Sequence, residues 1–322
     1  MTTTLLVLAR SAHFAGAMLL FALLFFTAWT MRPALAGAEP EMWGACGPYG
    51  RTLMKWFWGA LILEAFSGAA WFWLVTVQMS GVELWSLPGS DDLSAVLWQT
   101  QFGQLWVGRS VALAVLFAVA AFASRRSFFF FGKDRLWGGL SLAVSGALLV
   151  SLAWAGHAAA GIHDRDTHLL ADTLHLLLGA VWPMGLVPFA LFLCYADRTG
   201  RTLPMELTVM RRFSQTSFFA VFILVTTGLV NGWFLVGSWP GLFDTVYGRL
   251  LLAKVAVTGL MIGLGAWNRF VRLPQLAVAP EAAPPYLALR ENALRRSVVA
   301  EAALAGVVLV IVGVLGMTPP PQ

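Results

Sequence analysis

Apolar residues in this chain come in long blocks with few polar interruptions, with neither the alternation of a half-buried strand nor the single stripe of a surface helix. A helix needs about 20 apolar residues to cross the hydrocarbon core of a bilayer. Blocks of that kind lie near residues 5–30, 54–79, 106–124, 137–160, 168–195, 213–236, 247–268 and 297–317. They predict an all-α integral membrane bundle of eight transmembrane helices, forming a single transmembrane domain over residues 1–322. The first block is too long for a signal-peptide core and ends without a small-x-small cleavage pattern, so it is expected to stay as the first membrane helix.

The polar segments between the blocks carry the sidedness. After the first, third, fifth and seventh helices come Arg32, Arg51 and Lys55, then Arg125, Arg126, Lys133 and Arg135, then Arg198, Arg201, Arg211 and Arg212, then Arg269, Arg272, Arg290, Arg295 and Arg296. The other loops are poor in cations and hold Glu83, Asp91, Asp92, Asp164, Asp166 and Asp244. Positively charged loops stay on the cytoplasmic side, which predicts that both termini are periplasmic. Trp85, Trp98, Trp106 and Trp239 near the outer ends, and Trp137 and Trp267 near the inner ends, suit interfacial anchoring. In the outer loop 80–105, Ser90-Asp91-Asp92 is expected to cap a short amphipathic segment through Leu97 and Trp98 that lies on the membrane as a lid. The stretch 270–294, with Pro274, Pro280, Pro284 and Pro285, is expected to be an irregular cytoplasmic connector.

Composition agrees with this placement: 59% of residues are hydrophobic and 11% charged, against about 25% charged in soluble domains. The net charge of +5 sits in short loops, as topology determinants do, and does not suggest nucleic-acid binding. Cys46 and Cys194 form neither a CxxC pair nor a disulfide framework and are expected to be structural thiols. The chain contains no Walker A segment, no phosphorylated-Asp signature, no GxSxG and no HExxH, so ATP hydrolysis and hydrolase chemistry have no support. Transport would have to run on a gradient or a partner.

Chemistry concentrates in GHAAAGIHDRDTHLLADTLH, residues 156–175, which holds four of the five histidines. Ionisable residues at membrane depth are costly unless partnered, which makes them functional candidates. His168, Asp172 and His175 are spaced i, i+4 and i+7 and share one helix face. A carboxylate one turn from an imidazole can fix the tautomer of a metal ligand. By helix rise, His13 lies about 12 Å below the outer boundary, His175 about 9 Å and His157 about 4 Å. The candidate metal ligands are therefore His13, His157 and His175, embedded in the outer half, with His163 and His168 as an exposed capture pair. Imidazole suits copper, zinc, iron and nickel, and thioether selects Cu(I). Met79 and Met317 near outer helix ends could join a copper path, whereas Met18 and Met184 share no helix face with a histidine of their own segment.

Glu64 falls near the midplane of the second helix and is expected to be either a proton or ion relay or a protonated carboxyl hydrogen-bonded to a neighbouring helix. Arg109 could pair with Asp172 or snorkel to headgroups, and Lys254 has the same two options. Glu301 is expected to pair with Arg295 or Arg296, and Thr227 and Asn231 to hydrogen-bond between helices. Two embedded histidines from different helices could instead ligate a b-type haem through His13, His157 or His175. A purely structural or assembly subunit is the third reading.

Thr100-Gln101-Phe102-Gly103 with Trp106 and Arg109, Gly156-His157-Ala158, and Asp172 to His175 leading to Trp182 and Gly185 resemble the copper-resistance D (CopD) family of bacterial inner-membrane proteins. The resemblance continues through Arg212-Phe213-Ser214, Tyr247-Gly248-Arg249-Leu250-Leu251 with Lys254, Asn268-Arg269, and Leu294 to Val298 with Glu301. It implies an eight-helix protein of the cytoplasmic membrane that handles copper, takes it up or passes it on, and works beside a small periplasmic copper-binding protein.

Overall fold

The computed structural model describes residues 2–36, 46–124, 135–156, 164–196, 203–278 and 284–321. Within hydrocarbon every backbone N–H and C=O must be satisfied internally, and the described residues comply by folding as helices without a strand. The chain runs α1 (Thr2–Phe25), α2 (Gly47–Ser80), α3 (Ser90–Gln99), α4 (Gln101–Ser124), α5 (Arg135–Val150), α6 (Arg165–Val181), α7 (Leu186–Ala196), α8 (Leu203–Val236), α9 (Trp239–Asp244), α10 (Val246–Trp267) and α11 (Pro284–Leu315). Short π-turns at Phe26–Met31 and Asn268–Arg272 extend α1 and α10. Eight segments are long and apolar enough to cross a membrane, with α6 and α7 sharing the fifth. An even number of crossings puts both termini on one side, called here the termini side.

The two most buried crossings organise the bundle. In the first and fifth spans 67% of the most apolar window is buried, against 6% in the seventh, so α1 and α6–α7 form the centre while α10 faces outward. α1 packs on α2, α5, α6 and α11. Small residues let these neighbours close on it, as they do generally between membrane helices. A Cβ at Gly313 of α11 would stand 1.9 Å from Ser11 Oγ, and one at Gly179 of α6 would stand 2.9 Å from the Met18 methyl.

Several helices run further than their apolar blocks. α2 begins at Gly47, seven positions before the expected 54, because its added turns are held by protein: Tyr49 is fully buried and its hydroxyl donates to Pro188 O at 2.7 Å. α8 and α11 gain their first turns in the same way around buried Glu206, Val209 and Leu294. The stretch 270–294, expected to be irregular, is helical through Ala277 and again from Pro284. Pro274, Pro284 and Pro285 sit at helix starts, where a missing N–H costs nothing.

Two helices also end sooner than the blocks predict. α5 tightens into a 3-10 turn at Ser151–Ala155. The expected helix 168–195 breaks at Trp182–Gly185, where Pro183 cannot continue the ladder. The expected short segment is α3, and its N-cap residue is Gly89 in place of Ser90, with Asp92 Oδ2 accepting from Gly89 N at 3.3 Å. α3 lies hard against the start of α4, where a Cβ at Gly103 would come 2.1 Å from Val96 O. Cys46 and Cys194 are both free thiols.

Candidate metal centre

The structure holds two buried histidine centres, one built on α1, α2 and α4 and the other on α6, α8 and α10. In the first, His13 Nε2 lies 3.2 Å from Glu64 Oε1, a close but poorly directed contact, with both residues under 5% exposed. The Ser67 hydroxyl donates to Leu63 O at 2.6 Å, so its oxygen is left to accept from His13 Nδ1 at 3.4 Å. His13 then presents a bare Nε2 to a carboxyl, and one proton must be shared between them. Gly16 makes the approach possible, since a Cβ there would stand 2.5 Å from Glu64 Oε2.

Arginines surround this pair. Trp71 stands edge-on to His13 at 5.4 Å between the centroids, and its ring has the guanidinium carbons of Arg10 at 5.1 Å and Arg109 at 5.6 Å. Arg109 is buried at 4% exposure, donates to Ser151 Oγ and Ser151 O at 2.8 and 2.7 Å, and interacts electrostatically with Glu64. It therefore neither bonds to Asp172 nor reaches headgroups. Among the described residues, Arg109 Nη1 and both Glu64 oxygens are buried without a hydrogen-bond partner.

In the second centre, Thr227 Oγ1 donates to Ile223 O at 2.9 Å and therefore accepts from His175 Nδ1 at 3.1 Å. The network assigns the Nδ1–H tautomer and leaves His175 Nε2 as a lone pair. That lone pair faces an ammonium: Lys254 Nζ is 3.3 Å away, so this lysine points inward to a partner and does not snorkel. Asn231 Nδ2 reaches Asp172 Oδ1 at 3.4 Å. Thr227 and Asn231 thus make the expected bonds between helices.

Beside the second centre is a cavity of about 200 Å³ into which the shared face of α6 presents His168, Asp172 and His175. Met18 of α1 and Met184 of the α6–α7 break also line it. Neither shares a helix face with a histidine of its own segment, and the signal in the sequence for their approach is the small-residue packing that draws α1 against α6. His168 is buried at 6% exposure and stacks on Phe234 with 4.9 Å between centroids, so it is not an exposed capture residue. His157 and His163 lie outside the described residues. Glu301 bonds to Asn268 Nδ2 in place of Arg295 or Arg296, since the π-turn at the end of α10 carries that amide against α11.

Among the described residues no group of three or more His, Cys, Asp or Glu side chains is close enough together to hold a metal ion. His13 does not line the cavity that His168 and His175 share. Of the three candidate haem ligands, His157 lies outside the described residues, and His13 and His175 belong to the two separate centres. What the cavity can do is offer imidazole, carboxylate and thioether groups to a soft cation, in competition with the Lys254 ammonium.

Two family models match the chain: Copper resistance protein D-like, N-terminal domain, over residues 1–164, and Copper resistance protein D over residues 207–315. The first contains the His13 centre, and the second contains the α8 and α10 partners of His175. The chain is 31% identical to Copper resistance protein D of Pseudomonas syringae pv. tomato over 99% of its own length and 98% of that protein. It is 27% identical to the inner membrane protein YebZ of Escherichia coli (strain K12) over 97% of each. It is also 31% identical to the copper transport protein CutJ of Bacillus subtilis (strain 168) over 70% of this chain and 38% of that one. No solved structure matches it. The chain belongs to the copper resistance protein D family and is a multi-pass protein of the inner membrane.

Proposed function

We propose that this protein binds copper as cargo in the termini-side half of the membrane, on the face of α6 that carries His168, Asp172 and His175. The observation that carries the reading is the convergence of these three side chains with the thioethers of Met18 and Met184 on one cavity. Nitrogen and thioether donors favour Cu(I) over harder divalent ions. His175, with Nδ1 committed to Thr227, supplies one imidazole whose Nε2 lone pair is defined. With both termini in the periplasm, as the arginine distribution predicts, copper would enter from that side, handed over by a periplasmic copper-binding protein. Asp172 would hold the charge of the site, and the His13–Glu64–Arg109 centre would serve as a neighbouring proton-bearing relay with no direct ligand role for His13.

The test is Cu(I) binding to the detergent-purified protein, read by competition with a chromogenic chelator. Wild type binds copper, and His175→Ala together with Met18→Leu weakens it strongly. Unchanged affinity in both variants sinks the assignment of the cavity.

A further inference from the structure

A second, larger cavity of about 510 Å³ lies between α8, α10 and α11, beside the α6–α7 break and at the end of the bundle away from the termini. A cleft of this size that opens into the bilayer has no water to fill it, so it takes a lipid or a side chain. Its lining is almost entirely apolar, and Phe218, Phe222 and Val225 both line it and face outward at 52, 72 and 42% exposure. The opening is therefore sideways, into hydrocarbon.

One end of the cavity is polar. Arg269 lines it, donates through Nη1 to Ser214 Oγ at 2.8 Å, and is flanked by the rings of Phe218 and Phe270 at 5.0 and 5.7 Å. These contacts fix the guanidinium at the rim while spending one of its five donors. Among the described residues, Ser217 Oγ, also in the lining, is buried without a hydrogen-bond partner. Glu301 also lines the cavity, with its carboxylate accepting from Asn268 Nδ2, and the neighbouring helix ends carry Arg211, Arg212, Arg272, Arg290, Arg295 and Arg296 against Glu206 and Glu291. The excess is cationic, so the complementary ligand is an anion joined to an apolar chain.

We infer that this cavity is a binding site for an anionic phospholipid, with one acyl chain between α8 and α10 and the phosphate at Arg269. Basic recesses between membrane helices recognise headgroups of this kind. The site lies apart from the cavity assigned to copper, so it stands or falls independently of that reading.

The experiment is native mass spectrometry of the full chain, delipidated by detergent exchange and titrated with phosphatidylglycerol or phosphatidylcholine of identical acyl chains. The first phosphatidylglycerol is expected to bind about fivefold more tightly than phosphatidylcholine, the scale of one cation at a membrane surface. Arg269→Gln should bring the two lipids to parity, Arg269→Lys should keep most of the preference, and Ala266→Phe should abolish the first binding event for both. Val225→Phe, at the outward-facing rim, is a second plug should the Ala266 variant fail to fold. Equal affinities in wild type, a preference that survives Arg269→Gln, or undiminished binding in a folded plugged variant would overturn the assignment.

Discussion

The two histidine centres use the same device and reach opposite electrostatic outcomes. Ser67 and Thr227 each spend their proton on a carbonyl in their own helix, which leaves an oxygen that accepts from Nδ1 of His13 or His175. Both imidazoles therefore turn a bare Nε2 inward. At His13 that atom meets the Glu64 carboxyl, and at His175 it meets the Lys254 ammonium. The first pair needs a proton between its members and is locked by Trp71 and two arginines. The second opens on a cavity with thioethers. The difference separates a centre suited to holding a proton from one suited to exchanging a cation.

The largest effect that could break this comparison is on stability. Arg109→Ala removes two charge-assisted bonds to Ser151 and the cation acting on buried Glu64, so a loss of about 3 kcal/mol is expected in detergent unfolding. An unfolding midpoint equal to wild type would mean that the first centre is not a charge network. Next comes the division of labour: His175→Ala should weaken Cu(I) binding about 10- to 100-fold, while His13→Ala should leave it within about twofold, by chelator competition. Equal losses in the two variants would merge the centres into one site. Lys254→Met frees His175 Nε2 from its competitor, and copper affinity should rise by about one order of magnitude; a fall would make the lysine a supporting residue. The smallest effect is expected for Thr227→Val, which removes one bond between helices and should cost about 0.6 kcal/mol, seen as a small shift in the unfolding curve.

Much of the architecture was legible because hydrocarbon imposes a one-dimensional rule. Every block of about 20 apolar residues became a crossing, and the i, i+4, i+7 face of His168, Asp172 and His175 follows from helix geometry alone. The ends of α2, α8 and α11 were not, because their outermost turns are stabilised by contacts such as Tyr49 with Pro188, 139 positions apart. Partnerships were harder still. Glu64 and His13 each stood out in the sequence, but their pairing depends on α1 and α2 closing over Gly16, and Lys254 meets His175 across 79 positions. Single-chain periodicity reports which face a residue occupies; which helix that face touches is decided by shape.

The ammonium at His175 gives the proposed copper site a property beyond competition. If a cuprous ion takes Nε2 while Lys254 releases its proton to solvent, one unit of positive charge leaves the site as another arrives. Loading is then isocoulombic, and the low-dielectric surroundings, where each unbalanced charge is expensive, see no change in net charge. A cupric ion would arrive with a surplus unit that nothing in the exchange removes. Oxidation-state selectivity would thus come from charge conservation as well as from donor softness, and it should shrink when Lys254→Met is titrated with Cu(I) and Cu(II) side by side.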